Sequence, residues 1–126
     1  MPATKVVLFR RAGGVVPLKA WLDELEKREP KAYAKCLQRI LMLAQFGNEL
    51  RRPIADHLDD GIFELRARSG TVQYRMLYFF EKKNTAVISH GITKEDKVPQ
   101  SEIEHAKRHR ALVRRNFDQY TADWKA

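Results

Sequence analysis

Three arginines in one short stretch, Arg66, Arg68 and Arg75, are the residues of this chain best suited to chemistry on a phosphodiester. Each guanidinium is a planar fork of donors that keeps its charge near neutral pH. It can hold a phosphate through paired hydrogen bonds and stabilise charge that builds up on the non-bridging oxygens. The same arginines also fit an ordinary solvated face paired with Glu64. His90 follows as a strand-end candidate for carrying a proton, with Lys94 close behind. His105 and His109 stand four apart, the spacing of two ligands on one helix face, but no HExxH pattern surrounds them and no third ligand is evident. They read better as part of a solvated helix, so no metal site and no cofactor is assigned. His57 reads as a loop residue and Asp59-Asp60 before Gly61 as turn chemistry. Serine or cysteine nucleophile motifs and a Gly-rich phosphate loop are all missing from the sequence.

The elements that must position these groups follow from periodicity. Lys5 to Phe9 is a short β-branched run, hence a first strand closed by Gly13-Gly14. Pro17 opens a helix in which Leu18, Trp21, Leu22 and Leu25 share a stripe. Pro30 stops it and starts a longer helix, with Tyr33, Leu37, Ile40, Leu41 and Ala44 facing the core and Gly47 ending it. Cys36 lies within that second helix as a packing residue. Arg51 to Asp60 reads as a polar connection. IFELRAR, VQYRMLYFF and TAVISHG then read as three antiparallel strands with short turns. Ser101 and Glu104 resemble a capping box that opens a final basic helix running to about Arg115.

The hairpin turns this pattern into geometry. A turn centred on Ser69-Gly70 sets Arg66 opposite Gln73 and Glu64 opposite Arg75. Arg66, Arg68 and Arg75 then share one face, while Leu65, Tyr74 and Met76 pack under the helices. One residue more in the loop would separate Arg66 from Arg75.

Composition bounds the rest. A chain of 126 residues, 44% hydrophobic and 32% charged, is expected to be one globular domain with its core over about residues 5–115. Twenty-four Lys and Arg against 16 acids give a net charge of +8, which attracts polyanions. With a lone cysteine, no signal-peptide pattern and no apolar run long enough for a bilayer, a cytoplasmic protein without a membrane partner is expected.

The runs GIFELRARSGTVQYRMLYFF and VISHGITKEDKVPQSEIEHAKRH resemble the RelE/HigB toxin superfamily, specifically its phage Gp49-like branch. The matching positions are Gly61, Phe63, Glu64-Leu65-Arg66, Tyr74-Arg75, Tyr78, His90-Gly91, Lys94, Lys97 and Pro99, and the helical hairpin upstream fits as well. The resemblance implies an α+β, RelE-like domain and a ribosome-dependent messenger RNA endonuclease. It also implies a cognate antitoxin of the helix-turn-helix, HigA-like kind. Where that pattern commonly has two adjacent lysines, Lys94 is followed here by Glu95 and Asp96.

On that reading no metal is needed, because an aligned RNA 2′-hydroxyl can attack its own neighbouring phosphate. Arg66, Arg75 and Lys94 form the cationic clamp, and His90, Lys94 and Glu64 all stand open as proton carriers. Arg68, Lys97 and Lys107 are expected to contact RNA. Tyr78 joins them through its place in the motif, although hairpin parity puts its ring on the apolar face. Two other readings remain: a non-catalytic basic nucleic-acid-binding regulator, and a decayed toxin that only binds its antitoxin.

Overall fold

The structure, a computed structural model, describes residues 3–94 and 97–124. Strand β1 (Lys5–Phe9) leads into helices α1 (Pro17–Arg28) and α2 (Pro30–Phe46). Strands β2 (Ala55–Asp59), β3 (Ile62–Ser69), β4 (Val72–Phe80) and β5 (Thr85–Lys94) follow, then helix α3 (Gln100–Arg115) and strand β6 (Thr121–Asp123). All strands join one sheet in the order β2-β3-β4-β5-β1-β6, antiparallel throughout except that β1 runs parallel to β5. The class is α+β, with six strands where the sequence led us to expect three or four. The two extra strands are the edges. β2 lies inside the presumed polar connection and buries only Ala55, and β6 is three residues long.

Proline placement shapes the helical hairpin. Pro17 and Pro30 occupy first turns, where a missing N–H costs nothing, and Pro30 also forces Glu29 out of helical geometry, so α1 stops there. Gly47 ends α2 with φ 54, and a side chain at that position would run into Thr4. The core face of α2 is Ala32, Cys36, Ile40 and Leu43, whereas Leu41 is 55% exposed, which corrects its expected place in the stripe. The capping box is corrected too: Pro99 holds the cap position of α3 and Ser101 lies inside the first turn, with no side-chain cap.

The sheet separates two cores. α1 and α2 cover the face carrying Leu65, Tyr74, Met76 and Tyr78, and α3 covers the face carrying Val7, Leu77, Phe79 and Val87. β4 is buried on both sides, which explains its nearly unbroken apolar run. Leu77, Tyr78 and Phe79 are each at most 1% exposed, and burying each such side chain stabilises the fold by about 1.5–3 kcal/mol. Among the described residues no helix is long and apolar enough to cross a membrane.

Trp21 of α1 lies flat over Gly91 of β5, so closely that a β-carbon there would sit within the indole ring. Gly91→Ala should therefore push Trp21 out of place and cost about 1–3 kcal/mol. Urea unfolding should show this as a lower midpoint with little change in slope.

Candidate functional site

The β3–β4 hairpin turns on Gly70-Thr71, with Ser69 opposite Val72 and Gly70 at φ 61, the left-handed conformation such a tight turn requires. The register is thus two residues from the one expected: Arg66 faces Arg75 directly, Arg68 faces Gln73 and Glu64 faces Leu77. A two-residue shift preserves parity, so the arginines still share one face.

Two guanidiniums directly across a ladder repel each other. Glu64, 1% exposed, answers both. Its Oε2 accepts from Arg66 Nε and Nη2 at 3.1 and 2.9 Å, and its Oε1 accepts from Arg75 Nη1 at 2.7 Å. Asp56 of β2 also accepts from Arg66 Nη2, at 3.3 Å, and pairs with Arg52. Arg75 is 9% exposed, and among the described residues its buried Nε has no hydrogen-bond partner. Beside this network, where Pro53 and Ile54 lead into β2, lies a hollow of about 430 Å³ lined by Arg39, Arg66, Arg68, Gln73 and Arg75. Arg39 reaches it from α2, donating from Nε to the Arg66 carbonyl at 2.9 Å, and exposed Arg68 donates to the Gly70 carbonyl. Among the described residues, four guanidiniums stand against the two carboxylates that touch them, a surplus of two positive charges.

The remaining expected site residues are scattered. Lys94 pairs with Gln73 at the end of β5; its side chain, with Glu95 and Asp96, lies outside the described residues. Lys97 is exposed just before α3. Lys107 is a tie between elements, donating to Asp59 at 2.8 Å and meeting Glu104 at 3.3 Å, and those bonds raise its pKa. Tyr78 is corrected: it lies 1% exposed on the face opposite the arginines, stacked on Phe63, and burial raises its hydroxyl pKa. It belongs to the core and offers no surface to RNA. Arg39 was missed because a lone arginine in an amphipathic helix carries no signal of where it reaches.

His90 belongs to a second cluster. A β-bulge shifts the β4–β5 register, pairing Leu77 with His90 and Tyr78 with Ile88, so Ser89 is the extra residue. Ser89 and His90 consequently both meet α3. His90 lies inside β5 rather than at its end, and its Nε2 is 2.9 Å from Glu102 Oε1. Ser89 Oγ bridges His90 Nδ1 at 2.8 Å and His109 Nδ1 at 2.7 Å. His109, expected on a solvated face, is 5% exposed and stacked on Phe9 at 3.7 Å. His57, expected in a loop, lies in β2 and accepts from the Gly61 N–H.

Donor and acceptor counting fixes the direction of the chain. Burial lowers the pKa of His90 and His109, so both are neutral at pH 7. A carboxylate only accepts, so His90 carries its proton on Nε2 and donates to Glu102. Its bare Nδ1 accepts from the Ser89 hydroxyl, which in turn accepts from His109 Nδ1–H. Both ring nitrogens of His90 are therefore engaged within the protein. His105, its ring centroid 4.7 Å from that of His90, completes the cluster, and one ligand atom each from His90, Glu102 and His105 lie within 4.8 Å of one another. His109, the other member of the i, i+4 pair, is not part of that group, because its Nδ1 is engaged by Ser89.

The family described as Phage derived protein Gp49-like (DUF891) matches residues 20–111, which span α1 through most of α3. No curated protein matches the chain.

Two outcomes follow from this geometry. Glu64→Gln keeps the shape but removes the charge that answers both Arg66 and Arg75, leaving only Asp56 beside Arg66. It should destabilise the fold by about 3 kcal/mol or more in chemical denaturation. The second concerns His109, which burial, then His105, His90, Arg11 and Arg108, hold down to about 3. An unfolded histidine protonates near pH 6.5, roughly. As pH falls through that value the unfolded chain gains a proton the folded chain refuses, so stability declines from about pH 6.5 towards 3 and is unaffected above. Urea midpoints measured across that window should fall, and His109→Gln should flatten the fall. An equally steep fall in H109Q would assign it to other groups.

Proposed function

The chain belongs to the phage-derived Gp49-like family, and on that premise we propose that it is the toxin of a type II toxin–antitoxin pair, cutting messenger RNA on the ribosome. The observation that carries the reading is the opposed pair Arg66 and Arg75, anchored on one buried carboxylate beside an arginine-lined hollow. Anchoring removes the rotamer freedom an arginine otherwise loses on binding, so the forks are pre-organised for a phosphate.

In the proposed reaction the RNA 2′-hydroxyl loses its proton and its oxygen attacks the adjacent phosphorus. The P–O5′ bond breaks, leaving a 2′,3′-cyclic phosphate, and a proton goes to the departing 5′-oxygen. Arg66 and Arg75, with Lys94 as third cation, stabilise the charge gathered on the phosphoryl oxygens. Arg68 and Lys97 hold flanking phosphates. His90, with both nitrogens engaged, is not assigned the proton transfers. Alignment by the ribosome contributes much of the rest, since positioning in favourable intramolecular cases supplies roughly 7–11 kcal/mol. The partner that silences it is proposed as an acidic antitoxin, drawn by the net charge of +8 and covering the hollow or blocking ribosome entry.

Expression of the chain alone should arrest bacterial growth, and Arg66→Ala should relieve the arrest. Arg66 is the informative position because its side chain is 31% exposed, whereas truncating the buried Arg75 also unsettles the fold. Arg66→Lys should restore activity only in part, since a point charge lacks the fork. End-mapping of ribosome-bound message should give 2′,3′-cyclic or 3′-phosphate ends, with cutting that persists in EDTA at concentrations that spare the ribosome. Ends bearing 5′-phosphate, or undiminished arrest by folded Arg66→Ala, would overturn the mechanism. Salt-sensitive RNA binding without cutting would make the chain a binding module.

A further inference from the structure

We infer that His90, Glu102 and His105 form a zinc-binding site that clasps α3 to β5, separate from the arginine hollow. None of the three lines that hollow. His90 comes from the bulged strand, while Glu102 and His105, three apart, present their side chains from one face of α3. Glu102 Oε1 lies 2.9 Å from His90 Nε2 and 3.9 Å from His105 Nδ1. Ligands about 2.0–2.1 Å from a tetrahedral zinc stand roughly 3.3 Å apart, so small side-chain rotations bring all three into place. Two imidazoles and one carboxylate suit zinc better than magnesium or calcium, which prefer oxygen donors throughout.

Two further features fit a ligand set. A ligating histidine is normally oriented by a hydrogen bond at its other nitrogen, which Ser89 Oγ supplies to His90 Nδ1. The side chains of Glu102 and His105 are 29% and 34% exposed, so an ion has a way in and water can hold the fourth position.

Zinc binding reverses the hydrogen-bond chain. With the ion on His90 Nε2, the His90 proton moves to Nδ1 and is donated to Ser89, whose own proton turns to His109 Nδ1 as the His109 proton passes to its Nε2. No heavy atom of Ser89 or His109 needs to shift.

The test uses the full, untagged chain, stripped of metal and titrated with zinc against a chromophoric chelator. One zinc per chain is expected. His105→Ala, at a partly exposed helix position that need not disturb the core, and Glu102→Gln should each weaken binding more than tenfold, while His57→Ala leaves it unchanged. Zinc should raise the melting temperature of the parent chain but not of His105→Ala. Nitrogen-15 spectra should show the His90 proton moving from Nε2 to Nδ1 on titration. Binding that survives both His105→Ala and Glu102→Gln, or no stoichiometric binding at all, would overturn the site. These readouts do not involve RNA cleavage, so they stand or fall apart from the toxin reading.

Discussion

The buried carboxylate of Glu64 is the constraint on which the arginine face depends. A sheet that sets Arg66 directly across from Arg75 stores like-charge repulsion at its centre, and burying Arg75 adds a desolvation cost. One acid, itself almost wholly out of solvent, answers both guanidiniums through separate oxygens. The result is asymmetric. Arg75 is sunk and held from below, while Arg66 keeps a partly open side chain and a second carboxylate, Asp56, at the rim. The interaction that makes the hairpin stable is therefore also the one that aims its charge outward.

The extra residue at Ser89 does comparable work on β5. Were β5 regular, with Ser89 paired in the ladder, alternation from Ile88 would turn His90 towards α1 and α2 and bring Gly91 under α3. With the bulge, His90 joins Glu102, His105 and His109 beneath α3, and Gly91 receives the flat indole of Trp21. The bulge thus settles both the polar cluster on one face and the contact of Trp21 with Gly91 on the other.

The legible parts of the sequence were those governed by period and punctuation. Prolines at 17 and 30 and Gly47 marked the helical hairpin, and alternation in IFELRAR and VQYRMLYFF gave the central strands and the shared face of Arg66 and Arg75. Exact register was not legible, because alternation repeats every two residues and cannot tell a pairing from one shifted by two. The edge strands escaped because β2 buries one side chain and β6 has three residues, too few to show a pattern. His109 escaped because a histidine among arginines reads as solvated, whereas it is stacked on Phe9 and bonded to Ser89. The bulge left no mark, since Ser-His after an apolar run is compatible with either face.

Those same short edges bear on pairing with another chain. β2 is five residues long and carries Asp56, His57 and Asp59, and β6 is three residues long and ends at Asp123. Strands so brief and so charged make poor templates for the backbone of another chain. The apolar run of β4 therefore lies inside the sheet, behind edges that disfavour its extension by a further strand.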